Sequence, residues 1–417
     1  MQSRVFYGWW VALAFAVIVF LSTGIRFTVG PFLKPIVADL GTDRAGFSLV
    51  VSLSLFLYGA FMPLLGRLVD RFGARPVGLA GTLVLAGAVA ATGQVTRLWQ
   101  FGLVYGVGVA LGLAATGHVV GSAVLSRWFV RRRATALSVL GGASMAGMSL
   151  LVPVSMWLIL TIGWRTTYAV VALVLLVVIV PLLLWVVRES PEAMGLAPDG
   201  GPPLPPGGAG SAPERTGVAR ALQTLPFWQL SGGMFTCGFS MSLLAAHGIP
   251  MLTDHGYSPM LASWALGLLG ASSMACAMLL GAIGDRIGRR PVLAWLYATR
   301  ALLLAGLFLV HDSPGALLAV ALLGGASMSG SLAMTSALTA DIFGRFSVGS
   351  IFGLIFLVHQ AGGAGGSWLG GLLFELTGGY GVAFAVAAAQ LLAGALVSLA
   401  IDEHARAARW SPVAGGR

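Results

Sequence analysis

Twelve long, mostly apolar stretches, parted by short charged or Pro/Gly-rich segments, constrain this chain more than any other feature of it. About 20 such residues cross a bilayer as a helix, and backbone not hydrogen-bonded within its own segment cannot face hydrocarbon. The runs fall at about 7–29, 46–65, 77–95, 98–125, 134–160 and 164–187, then at about 226–249, 261–280, 292–310, 315–338, 348–373 and 380–401. Between the two sets lies RESPEAMGLAPDGGPPLPPGGAGSAPERTG, whose Pro, Gly and small polar residues support neither helix nor strand, so it reads as a flexible linker. The organisation expected is a bundle over 1–187, a linker over 188–225, a second bundle over 226–401 and a tail over 402–417. Hydrophobic residues make up 57% of the chain and charged ones 9%, so lipid is the solvent for most of its surface. The first run is too long for a signal-peptide core and lacks a small-residue cleavage site, so it is kept as the first helix.

Net charge is +10, which in a soluble protein would raise the question of a nucleic-acid partner. Position answers it. With the amino terminus in the cytoplasm, 18 of the 24 Lys and Arg fall in cytoplasmic segments and only Lys34, Arg44, Arg97 and Arg165 outside, the bias that orients membrane proteins. The cations face an anionic leaflet, not nucleic acid, and both termini are expected in the cytoplasm. The remaining two, Arg26 and Arg300, lie within predicted helices. Cys237 and Cys276 sit in apolar runs without a CxxC partner, so they read as packing residues, with no disulfide framework, metal site or cofactor expected.

The chain repeats itself. At an offset of 215 positions, Pro35, Asp39, Gly41, Ser48, Gly66, Asp70, Arg71, Gly73, Arg75 and Pro76 meet Pro250, Asp254, Gly256, Ser263, Gly281, Asp285, Arg286, Gly288, Arg290 and Pro291 without a gap. Duplicated bundles with a site between them suit alternating access. The fold class is therefore an all-α membrane protein of twelve transmembrane helices in two pseudo-symmetric six-helix bundles.

The aligned segments GRLVDRFGARP (66–76) and GAIGDRIGRRP (281–291) join the second and third helices of each half. Both resemble the signature of the major facilitator superfamily, G-x-x-x-D-[RK]-x-G-x-[RK]-[RK], with Pro76 at the last basic position of the first copy; the resemblance extends over nearly the whole chain. It implies a secondary transporter. Gly66 and Gly281 permit close helix approach, while Asp70 and Asp285 can accept bonds from Arg71, Arg75, Arg286 and Arg290 and from a helix amino terminus in one conformation only, with Gly73 and Gly288 in the same turn. These ten residues form a candidate conformational latch; the plainer reading is a basic topology anchor. STGIRFTVGPFLKPIVADLG, RESPEAMGLAPDG, HGIPMLTDHG, LAWLYATRALLLAG and HQAGGAGGSWLGGLLFELTGGY are similar to the bacterial monocarboxylate-porter and oxalate:formate-exchanger branch. Against that, Ser273 and Ala277 stand where animal monocarboxylate carriers have Asp and Arg, so proton–lactate symport by that pair is not carried over.

Apart from Glu375 at the outer end of the eleventh helix, no Asp or Glu falls in a predicted helix, and the intramembrane charge is positive. An Arg at the bilayer centre costs about 2.5–3.5 kcal/mol on insertion scales, so it needs a partner, a wet cavity or a function. Arg26 can hold a carboxylate with its planar fork, or it can snorkel to the outer interface. Arg300 binds substrate or, more simply, neighbouring carbonyls. His359 stands where the oxalate:formate exchanger has a Lys, and can bind an anion when protonated, carry a proton, or merely pack. His118 and His247 are weaker forms of the same idea, and Tyr105, Tyr58 and Gln360 can add polar contacts to a cavity or serve as helix-interface residues.

The glycines of YGVGVALGLAATG follow no strand and open no loop, so they pack helices and bind no nucleotide. Neither HExxH nor GxSxG occurs, and an enzyme would lack a nucleophile or ligand set. The expected function is transport of a small, monocarboxylate-like organic anion, with protons as a candidate co-substrate, by a monomer in a bacterial inner membrane. The alternatives are a neutral or amphipathic solute, or a non-transporting sensor or scaffold on the same fold.

Overall fold

The computed structural model describes residues 6–129, 132–200, 216–343 and 348–402, so 201–215 of the linker and 403–417 of the tail lie outside the described residues. Of the site residues expected above, the side chains of Asp70, His118 and Asp285 and the surroundings of Gly281 also lie outside the description. All regular structure among the described residues is helical. In the first half, α1 is Tyr7–Phe27 with an extension Val29–Leu40, α2 is Arg44–Phe72, α3 is Ala74–Thr92, and α4 runs from Leu98–Phe101 to His118–Trp128. Arg133–Pro181 is two helices, because Gly163 turns the chain at φ 78°, ψ 160°; α5 precedes that glycine and α6 follows it, prolonged by Leu182–Val186. The second half has α7 (Leu225–Asp254), α8 (Pro259–Ile287), α9 (Arg289–Leu309), α10 (Pro314–Gly325 and Ser331–Phe343), α11 (Val348–Thr377) and α12 (Gly381–Leu399). Ten described segments are long and apolar enough to cross a membrane. The one over Thr135–Val186 holds both α5 and α6, and α11, whose hydropathy is diluted by its glycines and by His359–Gln360, brings the helices to twelve.

Several helices outrun the apolar pattern. The extension of α1 restarts after Thr28, with Pro31 in its first turn, where a missing N–H costs nothing, and reaches Leu40 beyond the predicted end at 29. Asp43 starts α2 by accepting from the Gly46 N–H at 2.6 Å, and Ser258 starts α8 by accepting from Leu261 N–H at 3.2 Å, caps of about 1 kcal/mol each. These two caps are 215 residues apart. The same offset carries Gly41, Gly73 and Gly163 onto Gly256, Gly288 and Gly378, and all six have φ between 60° and 94°, a region closed to most L side chains. The sequence repeat is thus a repeat of turns as well.

Packing gives two apolar cores, one built almost wholly from α1–α6 and one from α7–α12. Within the second, α7 and α11 lie so close that a Cβ on Gly238 would strike the His359 carbonyl, and one on Gly366 that of Phe239. Tyr7 Oη donates to the Val186 carbonyl at 2.9 Å and Gln229 Nε2 to that of Ala400 at 3.4 Å, so the starts and ends of both bundles share one end of the molecule, the terminal end. The halves meet toward the opposite end, called the loop end. There the α1 extension meets α7, where a Cβ on Gly30 would lie 2.5 Å from the Ala245 carbonyl; α2 meets α11 from Arg44 to Gly59; and α5 meets α8 through Met145, Ser149 and Pro153 against Gly267 and Gly270. Toward the terminal end the same helix faces part. Gly353, two turns before Gln360 on α11, and Gly141 and Gly142, a turn before Met145 on α5, face open space, and Met274, a turn past Gly270 on α8, is exposed.

Candidate functional site

Within the first half, beside the contact of α2 with α11, α1, α2 and α4 line a small pocket with Arg26, Val51, Ser54, Leu55, Tyr58 and Tyr105. Arg26 reaches it from the last turn of the first segment of α1, and Tyr105 from a π-helical stretch, Gly102–Val109, that widens α4. The guanidinium carbon lies 5.1 Å from the centroid of the Tyr58 ring, and Nη2 donates to Gln360 Oε1 of the other half at 3.3 Å. Gln360 is wholly buried; its Nε2 donates to the Leu55 carbonyl at 3.5 Å, and the same Oε1 accepts from His359 Nδ1 at 3.0 Å. Arg26 therefore does not snorkel. It points between the halves, and among the described residues no carboxylate pairs with it. A fork with five donors meets one π face and one long bond to a neutral oxygen, which leaves it able to take a bidentate anion.

Toward the loop end a second polar cluster ties the halves together. Arg44, the first residue of α2, donates to Asp254 at 2.6 and 3.3 Å and to Tyr380 Oη at 2.9 Å, lies 3.9 Å over the Phe374 ring, and gives its backbone N–H to Glu375 at 3.0 Å. Lys34 Nζ adds a second ion pair to Asp254 at 2.6 Å. Burial pushes the Tyr380 phenol up to about 12 despite neighbouring Arg44, so it stays neutral. It accepts from Arg44 and donates to His247 Nδ1 at 3.2 Å; His247 Nε2 in turn donates to the Ser367 carbonyl at 2.8 Å, beside Ser48 Oγ at 3.2 Å. Ser52 Oγ donates to the Ala364 carbonyl nearby. Every one of these bonds except that to Ser367 and that between Tyr380 and His247 crosses from one half to the other.

This cluster escaped the sequence reading, although the repeat carries its signal. Asp39, the counterpart of Asp254, is held within its own half by Arg165 at 2.9 and 3.0 Å. At the offset of 215, Arg165 is replaced by Tyr380, which cannot form that ion pair, so Asp254 is left to the cations of the opposite half.

The terminal ends carry smaller clusters. Glu189, just past α6, accepts from the N–H groups of Ala74 and Arg75 at 2.9 and 2.8 Å, and Arg127 stands 3.5 Å away. A carboxylate thus satisfies the amino terminus of α3, where the helix dipole favours negative charge. Arg75 Nε donates to the Leu183 carbonyl at 2.8 Å, and its repeat partner Arg290 donates to that of Ile401 at 3.2 Å, so each signature loop grips the end of the last helix of its half. Arg289 pairs with Asp341. Arg71 lies 5.1 Å from the Phe72 ring, and both Arg71 and Arg286 are exposed. Glu189 and Asp341 were not singled out from sequence.

Of the candidates for binding substrate, Arg26 and Tyr105 line the pocket, Gln360 bonds Arg26 from the other half, and His359 bonds Gln360 in turn. His247 belongs instead to the loop-end cluster, because α7 continues to Asp254 and carries it one turn too far. Arg300 is wholly buried within the second half; its Nε and Nη2 donate to the Ser327 carbonyl and its Nη1 to Cys237 Sγ at 3.0 Å, away from the pocket. Cys237 accordingly has polar partners and is more than a packing residue.

Comparison with known proteins gives a consistent result. The family model described as Major Facilitator Superfamily matches residues 15–270 and 230–413. An uncharacterized MFS-type transporter, YcxA, of Bacillus subtilis is 27% identical over 84% of each chain. Monocarboxylate transporter 13 of Bos taurus is 26% identical over 95% of this chain and 89% of its own, and the oxalate:formate antiporter of Oxalobacter formigenes 23% over 95% and 92%. Among solved structures, a bacterial homologue of the human lysosomal transporter Spinster, in an inward-facing and unoccupied conformation, superimposes with a TM-score of 0.71 at 18% identity, covering 95% of this chain and 96% of the other.

Proposed function

The chain belongs to the Major Facilitator Superfamily and is a multi-pass membrane transporter, not an enzyme, and from that premise we propose that its solute is a small organic anion of the monocarboxylate or short dicarboxylate class. One observation carries the reading: Arg26 stands at the junction of the two halves with a neutral amide as its hydrogen-bond partner. An entering carboxylate takes both arms of the guanidinium in place of Gln360, against a wall whose Tyr58, Tyr105, Val51 and Leu55 suit a short apolar tail. Gln360, released, is left to His359.

In this reading the halves over 1–187 and 226–401 rock about the solute. The Lys34–Arg44–Asp254 cluster holds the loop end shut while the pocket opens toward the terminal end. The signature loops, through Gly66, Asp70, Arg71, Gly73 and Arg75 and through Gly281, Asp285, Arg286, Gly288 and Arg290, hold the terminal end in the opposite state. The positive bias of the loops puts the termini, and so the open side, in the cytoplasm of a bacterial inner membrane. The names of the bovine and Oxalobacter relatives support anion transport as the class.

The test is uptake of radiolabelled formate, lactate and oxalate by proteoliposomes, with thermal shifts on the same purified protein. Arg26→Gln is expected to abolish both uptake and the carboxylate-dependent rise in melting temperature while the unliganded protein melts as the wild type does. Carboxylate uptake that survives Arg26→Gln overturns the site, and a wild type that responds only to neutral solutes overturns the class.

A further inference from the structure

Gln360 has no exposed surface, and its amide is joined to the opposite half at both of its ends. Arg26 Nη2 donates to Oε1 at 3.3 Å, and Nε2 donates to the Leu55 carbonyl at 3.5 Å. The partners fix which end of the amide is which, because a guanidinium only donates and a carbonyl only accepts. The stem reaches between them because α2 has a glycine where it passes. A Cβ on Gly59, one turn beyond Leu55, would lie 3.0 Å from both Cβ and Cγ of Gln360.

Place gives these two bonds their weight. The other hydrogen bonds between α2 and α11, from Ser52 to Ala364, from Ser367 to Ser48 and from Arg44 to Glu375, all lie nearer the loop end. Among the described residues, those of Gln360 are therefore the last to join these two helices before they part, and Gly353 on the next turns of α11 faces open space. Their lengths matter as well. An N–H···O bond ordinarily spans about 2.7–3.2 Å, and one from guanidinium to carboxylate about 2.7–2.9 Å, so the amide is held loosely. It is also a poor match for its partner. A primary amide has the planar shape of a carboxylate, but it offers Arg26 one neutral acceptor, and its second arm is a donor that the guanidinium cannot use.

We infer that Gln360 is an internal ligand of Arg26, a built-in competitor that occupies the guanidinium in the empty carrier and is displaced by the solute carboxylate. An arriving anion brings full charge and two acceptors and takes the place of Oε1. Two consequences follow from one side chain. The carrier's apparent affinity is lowered by the fraction of molecules in which the amide holds Arg26. The empty carrier is also bridged from α11 to α1 and α2, so it keeps its loop end shut more firmly than the loaded one does. The competition rests on the anion-transport reading above; the bridge does not.

The experiment compares Gln360 variants of the full-length protein, with formate, lactate and oxalate as probes in titration calorimetry. Gln360→Met keeps the stem and removes both hydrogen bonds, so carboxylate binding should tighten at least about threefold, the least that a hydrogen bond to a charged group contributes. Gln360→Glu presents Arg26 with a carboxylate of its own and should weaken binding at least about tenfold. Gln360→Asn, one methylene too short to span Arg26 and Leu55, should act as Gln360→Met does, and it decides if Gln360→Met does not fold. Binding that is unchanged or weaker in Gln360→Met overturns the competitor, since a side chain that holds the solute, or only packs, does not tighten binding when it is removed. Without solute, spin labels at Gln94 and Asp312 in the Cys276→Ser background read the separation of the loop ends by double electron–electron resonance. Gln360→Met should enlarge the open fraction at least about threefold, and equal distributions overturn the bridge. A wild type that binds no carboxylate overturns the substrate reading instead, and the distance measurement still judges the bridge.

Discussion

Replacing Asp254 by Asn removes the one carboxylate that both loop-end cations share, and its effect on the conformational equilibrium follows from the geometry. Arg44 and Asp254 are 16% and 29% exposed, half shielded from water, and joined at 2.6 and 3.3 Å. A charge-assisted hydrogen bond in that setting contributes about 1.5–3 kcal/mol. Lys34, with 41% of its side chain exposed, adds less than about 1 kcal/mol through its own contact. Both interactions exist only while the loop end is shut, so their loss destabilises that state against the state in which the halves part there. At about 2–3 kcal/mol the equilibrium should move about 30- to 150-fold toward the state open at the loop end. Spin labels at Gln94 and Asp312, exposed loop-end positions on opposite halves, read the change as a longer distance by double electron–electron resonance in the Cys276→Ser background. A double-mutant cycle with Arg44→Gln isolates the pair, and its coupling energy should exceed about 1 kcal/mol. Distance distributions that do not differ between wild type and Asp254→Asn would refute the gate.

Two further outcomes test the packing and the terminal end. Glu189→Gln keeps one acceptor for the amino terminus of α3 and loses the charge, so the Ala74 and Arg75 amides should exchange hydrogen about 5- to 30-fold faster, from about 1–2 kcal/mol of lost stabilisation; equal protection would contradict the assignment. Gly238→Ala drives a methyl into the His359 carbonyl, a backbone atom that cannot swing aside, and should cost about 1–3 kcal/mol in thermal or denaturant unfolding. Gly232→Ala on the same helix meets open space and should cost nothing, so equal effects of the two would show that helix separation is not the cause.

What the residues alone determined is whatever rests on the solvent and on local chemistry. Lipid admits only self-satisfied helices, so the apolar runs are spans whatever else they touch, and the 215-residue repeat makes the halves alike before any contact is known. Glycine at 41, 73 and 163 and at 256, 288 and 378 marks turns that follow from the lack of a Cβ. Arg26 was legible as a site residue because a charge in an apolar run demands an explanation wherever it points. Whether it snorkels or meets Gln360 was not legible, since that depends on where another helix, 334 positions along the chain, presents its amide. The same holds for Asp254. Its partners are decided by Tyr380 standing in Arg165's place and by Arg44 arriving from the opposite half, and the hydropathy pattern records neither. Arg300 and Cys237 each looked inert or ambiguous alone, and only the packing of α7 against α9 places a guanidinium against a thiol. Spans are settled by each residue's own free energy of transfer, but sites are settled by distances between residues far apart in the chain, and those exist only once the bundles have closed on one another.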